Sequence, residues 1–232
     1  MTYAGLFKAW ATVLTAILVA VLLSTIALTT GAEAQAAGCT GKVVLDPGHG
    51  GTDSGAVNKK YGLQEKVQNL KVATSLKSLL ESHVCKVYMT RTETDDETLS
   101  NTQRANRANA FKAADPGDYV LVSIHMNGST NTSADYTTTL FGKWRKDKEL
   151  ANTVFGSLST LPAANDATGT IATKTPYSFA SGVLLKSNMP ATIAETVFIT
   201  NDEEGQLFSN GTRQQQIAEA LDAGIERYLA TH

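Results

Sequence analysis

A histidine stands among glycines near the middle of the first hundred residues of this 232-residue sequence. Residues 43–51 read VVLDPGHGG, so His49 follows an apolar run that ends in Asp-Pro. Glycine-rich loops after strands often bind phosphate, but no GK[ST] sequence follows and no G-x-G-x-x-G pattern opens a helix. Imidazole is a common zinc ligand, and glycines let the backbone fold closely around it. The stretch therefore favours a metal site.

Three further side chains have types suited to chemistry. His125 ends the apolar run YVLVSIH, Glu195 interrupts the apolar segment TIAETVFI, and Glu65 follows the glycine-rich loop. Each has an ordinary alternative: a structural histidine, a glutamate paired with a basic neighbour, or a carboxylate at a helix N-terminus. Together with His49 they form two histidines, one glutamate and a spare carboxylate. That combination is typical of a catalytic zinc site.

The elements that position these side chains alternate between strands and helices. Strands are predicted at 42–46, 86–90, 119–125, 136–141, 182–186 and 191–197, helices at 65–82, 99–114, 147–160 and 212–230, and a loop at 163–180. This order predicts the α/β fold class, with one domain and a mostly parallel, twisted sheet flanked by helices. Side chains at the carboxyl ends of parallel strands meet at one edge, so His49, His125 and Glu195 should lie together.

The first 34 residues are predicted to lie outside this domain. Residues 9–28 are uncharged and follow Lys8, and an A-x-A pattern ends at Ala34, which indicates a signal peptide over 1–34. An uncleaved membrane anchor is the alternative, because about 20 apolar residues are long enough to span a bilayer. In both cases we expect the domain 38–232 to be exported to the periplasm or the cell wall, with membrane contact only through 9–28.

The net charge, the two cysteines and the two remaining histidines further narrow the class of protein. The net charge is −2, from 20 basic and 22 acidic residues, so nothing indicates a nucleic acid partner. Outside the cytoplasm we expect a disulfide between Cys39 and Cys85, which precede two strands that could be parallel neighbours. Two buried thiols, or lipidation of Cys39, are the alternatives. His83 lies at the far end of its strand and His232 is terminal, so neither is expected to bind a metal.

Four motifs resemble the zinc-dependent N-acetylmuramoyl-L-alanine amidases, the family of bacterial cell-division amidases and autolysins. They are VVLDPGHGG, Glu65-Lys66 with Asn69-Leu70, SIHMN at 123–127, and AETVFITN at 194–201. The resemblance implies hydrolysis of the amide bond between N-acetylmuramic acid and the L-alanine of the peptidoglycan stem peptide. It also implies one zinc ion per chain, bound by His49, Glu65 and His125, with Glu195 as the catalytic acid/base.

Other residues are candidates for supporting roles. Asp46 is a candidate partner for a ligand histidine, and Arg91 and Asn127 are candidates for lining the substrate cleft. Two positions depart from the family pattern, because Met126 replaces a small residue and Val197 replaces a glycine. A related zinc peptidase or carboxypeptidase and a wall-binding module without turnover are the alternative functions. We expect a monomer whose partner is peptidoglycan.

Overall fold

A computed structural model describes residues 41–95 and 97–232 of the chain. The predicted signal peptide or anchor over 1–34, and Cys39, lie outside the described residues. Cys85 is buried immediately before a strand, and its disulfide with Cys39 stays a prediction. Within the described residues, no helix combines the length and the apolar character needed to cross a membrane.

The described residues form ten strands and six helices. The strands are β1 (Lys42–Pro47), β2 (Val57–Asn58), β3 (Leu63–Gln64), β4 (Lys86–Met89), β5 (Tyr119–Asn127), β6 (Thr138–Phe141), β7 (Pro162–Ala163), β8 (Asp166–Thr170), β9 (Tyr177–Ser178) and β10 (Ala191–Phe198). The helices are α1 (Glu65–Ser82), α2 (Asn101–Ala114), α3 (Arg145–Leu158), α4 (Gly182–Lys186), α5 (Asp202–Ser209) and α6 (Thr212–Leu229).

One six-stranded sheet organises the domain. Its strand order is β4-β1-β5-β10-β6-β9, and the four strands from β4 to β10 are parallel to one another. Strand β6 runs antiparallel to β10, and the short β9 pairs parallel with β6 at the edge. The predicted α/β class with a mostly parallel sheet is confirmed, and the carboxyl ends of β1, β5 and β10 lie at one edge.

Helices cover both faces of the sheet, which is why the central strands are apolar almost throughout. On one face, Leu45 of β1 belongs to a core cluster that includes Leu76 of α1, Val154 of α3 and Leu221 of α6. On the other face, Val44 and Leu121 belong to a smaller cluster that includes Ala108 of α2 and Val183 of α4. The sheet is therefore held rigidly from both sides, and its edge is left for the candidate site.

One predicted strand is wrong, because residues 182–186 form helix α4. A short apolar run cannot be assigned to a strand or a helix by periodicity alone. Strand β9 occupies the edge position beside β6, and the consecutive residues Val183 and Leu184 are both buried in the cluster on one face. The predicted loop over 163–180 contains β8 and β9, and helix α5 has no counterpart among the predicted elements.

Candidate metal centre

Two histidines and a glutamate come together at the carboxyl edge of the sheet. His49 follows β1, His125 lies near the end of β5, and Glu65 is the first residue of α1. His49 Nε2 is 3.1 Å from Glu65 Oε2, and His125 Nδ1 is 3.1 Å from Glu65 Oε1. One donor atom from each residue lies within 4.8 Å of the others. We call these three residues the His49 group.

The carboxylate of Glu65 is buried and fixed between the two imidazoles. The side chain is 3% exposed, and its Oε2 accepts a hydrogen bond from the backbone N–H of Ala56 at 2.9 Å. Its Oε1 accepts from the backbone N–H of Met126 at 3.0 Å. Two backbone donors from separate loops and strands therefore hold this carboxylate at one orientation, as a ligand with a defined geometry requires.

His49 is oriented by a second carboxylate that the sequence analysis does not identify. Its Nδ1 lies 2.7 Å from Oδ2 of Asp53, which leaves Nε2 directed at Glu65. His49 adopts a φ of 60°, in the left-handed region that few residues other than glycine occupy. In the sequence, the only sign of this contact is that Asp53 follows His49 by four residues. That spacing predicts a hydrogen bond only when the path of the loop is known.

Two glycines of the loop are required by the closeness of the ligands. A Cβ atom on Gly48 would lie 2.2 Å from Cε1 of His125, and one on Gly55 would lie 2.5 Å from Oε2 of Glu65. Gly55 also has a φ of 62°, which glycine adopts without steric cost. These glycines make room for the ligand side chains, which explains why His49 stands in a stretch of glycines.

The donor set fits a zinc ion. Zinc in proteins is bound tetrahedrally by histidine nitrogens and carboxylate oxygens at about 2.0–2.2 Å, which places neighbouring ligand atoms roughly 3.3 Å apart. The two nitrogen–oxygen separations of 3.1 Å in the His49 group are close to that value. Three protein ligands leave a fourth position for water or substrate, the pattern of a catalytic site.

The charges of the His49 group are strongly coupled. Burial would lower the pKa of His49, but the carboxylates of Glu65 and Asp53 outweigh it and raise the pKa to about 9. Burial would raise the pKa of Glu65, but His125 and His49 hold this pKa well below its usual range. A cation and a proton therefore compete for the same imidazole nitrogen.

Glu195 lies directly beside the His49 group. Its Cα is paired with that of His125 across the parallel ladder of β10 and β5, immediately before a register shift that ends at Phe198. Burial raises the pKa of Glu195, with the two imidazoles opposing the rise and Glu65 adding to it. This direction of shift is the one found for carboxyl groups that act as general acids in enzymes.

Two buried arginines hold the loop that presents His49. Arg91 donates to the backbone oxygens of Pro47 and Gly48, both at 2.9 Å. Arg104, on α2, donates to the backbone oxygens of Pro47 at 2.8 Å and of His49 at 2.6 Å. Arg91 is 1% exposed, so it holds the loop from beneath and cannot line the cleft as expected. Arg104 was missed, although a charged residue beside the apolar stripe of its helix is a usable signal.

Asp46 acts through Arg104 and does not hydrogen-bond a ligand histidine. Its carboxylate, fully buried, accepts from Arg104 at 2.8 Å, from the hydroxyl of Ser123 at 2.6 Å, and from that of Thr90 at 2.5 Å. Burial would raise the pKa of Asp46, but the Arg104 charge and the three hydrogen bonds lower it. The carboxylate that orients His49 is therefore Asp53 and not Asp46, because Asp46 lies beneath the loop.

The remaining candidates divide between the cleft and the core. Asn127 is half-buried at the end of β5, and within the described part of the chain its Nδ2 has no hydrogen-bond acceptor. Met126 and Val197, the two departures from the family pattern, are both buried in the larger core cluster. They fill space behind the site, so these substitutions do not present altered side chains to a substrate.

Comparison with known proteins identifies the family of this chain. Residues 43–227 match the family described as Amidase_3, N-acetylmuramoyl-L-alanine amidase. The chain is 34% identical over 220 residues to the N-acetylmuramoyl-L-alanine amidase AmiC of Escherichia coli O6:H1, covering 81% of this chain and 52% of AmiC. It is 32% identical over 194 residues to CwlM of Bacillus licheniformis, covering 80% of this chain and 68% of CwlM.

A solved structure shows the same fold. The crystal structure of an N-acetylmuramoyl-L-alanine amidase from Clostridium difficile 630 superimposes with a TM-score of 0.71 at 33% identity, covering 83% of this chain and 98% of that one. This chain spans about half the length of AmiC, so the match is to a shared domain. The fold, the motif order and the family match agree, and the chain belongs to the Amidase_3 family of N-acetylmuramoyl-L-alanine amidases.

Proposed function

We propose that this domain hydrolyses the amide bond between N-acetylmuramic acid and the L-alanine of peptidoglycan stem peptides. The observation that carries the proposal is the convergence of His49, Glu65 and His125 on one point beside Glu195. The relatives that share the domain are named for this activity. We infer one zinc ion as the cofactor of the His49 group.

When bound, zinc lowers the pKa of a coordinated water to about 7 and polarises an amide carbonyl. The chain's own residues supply the geometry that this chemistry needs. Asp53 holds the His49 ring through Nδ1 and so leaves Nε2 as the atom that would bind the ion, and the backbone donors of Ala56 and Met126 hold the Glu65 carboxylate. These supporting contacts set the ligand positions before the ion or the substrate arrives.

Glu195 is proposed as the acid/base. Its carboxylate accepts a proton from the attacking water and then donates that proton to the leaving nitrogen of L-alanine, so one residue serves both halves of the reaction. The pairing of its Cα with that of His125, a proposed ligand, supports this role. Asn127 lies two residues further along β5, and its role in lining the cleft stays a prediction.

Digestion of purified peptidoglycan by the domain 38–232 tests the proposal. We expect mass spectrometry to find peptides with a new N-terminal L-alanine and glycan strands with free lactyl carboxylates, and a chelator to abolish both. Release of D-alanine without new N-terminal L-alanine would show a zinc carboxypeptidase instead. Binding to the wall with no product would show a module without turnover.

Export of the domain is part of the same proposal, since peptidoglycan lies outside the cytoplasm. The apolar segment 9–28 and the pattern ending at Ala34 support a cleaved signal peptide. Intact-mass measurement of native protein tests this point. A mass that matches a chain beginning at Gln35 would support cleavage. A mass that matches the full chain, in protein recovered only with membranes, would show an anchored enzyme.

A further inference from the structure

A second group of metal-ligating side chains lies at the other end of α1. His83 is the residue that follows this helix, and Asp222 and Glu226 stand one turn apart on α6. His83 Nε2 is 3.3 Å from Asp222 Oδ2, and His83 Nδ1 is 3.4 Å from Glu226 Oε1. One donor atom from each residue lies within 4.8 Å of the others. We call these three residues the His83 group.

The buried carboxylate of Asp222 has a partner for only one of its two oxygens, because Oδ2 faces His83. The residue is 9% exposed, and within the described residues its Oδ1 is buried and receives no hydrogen bond. Burial raises the pKa of Asp222 and the charge of Glu226 adds to the rise, whereas His83 opposes it through its charge and a hydrogen bond. Buried carboxylate oxygens are nearly always hydrogen-bonded or bound to a cation. The oxygen Oδ1 of Asp222 is therefore unsatisfied within the described residues, although Oδ2 faces His83.

The imidazole of His83 satisfies this carboxylate only in part, through a long contact to one oxygen. Charge-assisted hydrogen bonds between nitrogen and carboxylate oxygen are about 2.7–2.9 Å long, and both contacts of His83 are longer. The two contacts start from different ring nitrogens, so only one of them can be a separation between neighbouring ligands of one ion, and its length suits the value of about 3.3 Å for tetrahedral zinc. A ring binds an ion through one nitrogen, so His83 contributes one ligand and the carboxylates contribute the others.

We propose that His83, Asp222 and Glu226 bind a second divalent cation of the zinc class, separate from the His49 group. One imidazole nitrogen with two carboxylates suits zinc or manganese, and water completes the coordination because the site is partly exposed. On sequence grounds, His83 is excluded as a ligand because it lies far from the His49 loop. This distance excludes His83 from the His49 group, but it does not exclude His83 from a separate site.

The position of the His83 group indicates a structural role. Helix α1 has 18 residues, so the group lies roughly 27 Å along the helix from Glu65. A cation there joins the C-terminal end of α1 to α6, two helices whose packed faces form part of the larger core cluster. Because the ion would bind the folded state only, it stabilises that packing.

Zinc stoichiometry tests the proposal, measured by equilibrium dialysis and elemental analysis on the unit Gly38–His232, which is compact by itself. We expect two equivalents in the unchanged protein, one after His83→Ala, one after His125→Ala, and none in the double variant. His232→Ala is the matched control, because His232 faces the single carboxylate of Glu149 at 3.3 Å. It should retain both equivalents.

A conservative variant separates ligand loss from misfolding. Glu226→Gln keeps the shape of a partly exposed side chain and should weaken the second equivalent by at least tenfold, since even outer contacts of metal ligands affect affinity by about 10- to 100-fold. Zinc should raise the melting temperature of the His125→Ala protein but not that of the double variant. One equivalent in the unchanged protein, or a second equivalent that survives His83→Ala, would overturn the proposal.

The outcomes distinguish this site from the catalytic one. Loss of one equivalent in His83→Ala but none in His125→Ala would support the His83 group and overturn the metal assignment of the His49 group. A protonated His83 bridging the two carboxylates is the competing explanation. It predicts that zinc leaves the melting temperature of the His125→Ala protein unchanged, which would also reject the second site.

Discussion

The two ends of helix α1 carry histidine and carboxylate groups of similar composition but different construction. The His49 group draws its ligands from β5, the loop after β1 and the first turn of α1. The His83 group takes two of its three members from successive turns of α6. Elements distant in sequence must fold before the first group exists, whereas helical spacing alone brings together most of the second.

The surroundings differ more than the ligands do. In the His49 group, Asp53 fixes one imidazole, backbone N–H groups fix Glu65, and Gly48 leaves space for His125. In the His83 group, Asp222 has an oxygen without a hydrogen bond in the described structure. A catalytic metal site is thus recognised by the neighbouring atoms that orient its ligands. Residue type alone shows only that the side chains could bind a metal.

The largest expected effect separates catalysis from metal binding at the His49 group. Glu195→Gln should lower kcat on peptidoglycan by about 10²- to 10⁴-fold, the usual contribution of a general acid/base, and should retain zinc. The exposed Glu203, on α5, provides the control, and Glu203→Gln should keep normal turnover. Initial rates of product release measure both variants. Near-normal turnover in Glu195→Gln would assign the proton transfer to another carboxylate.

Removing the charge beneath the His49 loop should have the next largest effect. Asp46→Asn leaves Arg104 buried without its counter-ion, and breaking such a pair costs about 3–5 kcal/mol in the free energy of unfolding. Asp202→Asn is the control, because Asp202 pairs with Lys60 at the surface and should lose about 1 kcal/mol or less. Urea denaturation at neutral pH measures the difference.

The same variant has a predicted pH dependence. Because folding lowers the pKa of Asp46, its contribution is complete above the ordinary aspartate pKa of about 4 and is lost as the pH falls through the lower folded value. The stability difference between the original protein and Asp46→Asn should therefore be constant from about pH 6 to 8 and shrink below about pH 4. A difference that widens in acid would contradict the ion pair.

Space beside the ligands is the third point of contrast. A methyl group on Gly48 would overlap the His125 ring, and disturbing the orientation of a ligand typically reduces metal affinity by about 10- to 100-fold. Gly48→Ala should weaken zinc binding at the His49 group by that order. Gly156→Ala, in α3 with no atom near the added Cβ, should keep its affinity and gain up to about 1 kcal/mol of stability. Competition of each variant with a zinc-sensitive dye measures the two zinc affinities.

These contrasts show which parts of the structure a sequence can reveal. The helix over 65–82 and the strand at β5 follow from apolar spacing and are confirmed. The edge placement of His49, His125 and Glu195 follows from parallel topology. The contacts of Asp53 and Arg104 with the loop depend on how the chain folds back after β1 and on a helix 55 residues away, which no local pattern encodes.

Errors arose where local patterns fit two structures equally. The segment 182–186 is as apolar as a strand, yet it forms helix α4, and β9 takes the edge position beside β6. His83 fails as a ligand of the catalytic edge, yet it meets Asp222 and Glu226 because α1 and α6 pack together. Exclusion of a residue from one site on sequence grounds therefore does not exclude it from another.

The smallest expected effect tests whether orientation of a ligand matters as much as its presence. Asp53 is half exposed and holds His49 Nδ1 at 2.7 Å, so Asp53→Ala should leave the fold intact. Loss of such an orienting carboxylate typically reduces metal affinity by about 10- to 100-fold. Asp53→Asn, which still offers a carbonyl oxygen to the same N–H, should fall between Asp53→Ala and the original protein.

Isothermal titration with zinc at fixed pH would measure that order, using a His83→Ala background so that one site alone is observed. Asp202→Asn serves again as a matched removal of an exposed carboxylate and should leave the affinity unchanged. If Asp53→Ala bound zinc within twofold of the original protein, the hydrogen bond to Nδ1 would be incidental. The His49 group would then owe its geometry to Glu65 and the loop glycines, and its distinction from the His83 group would rest on burial and on space around the ligands.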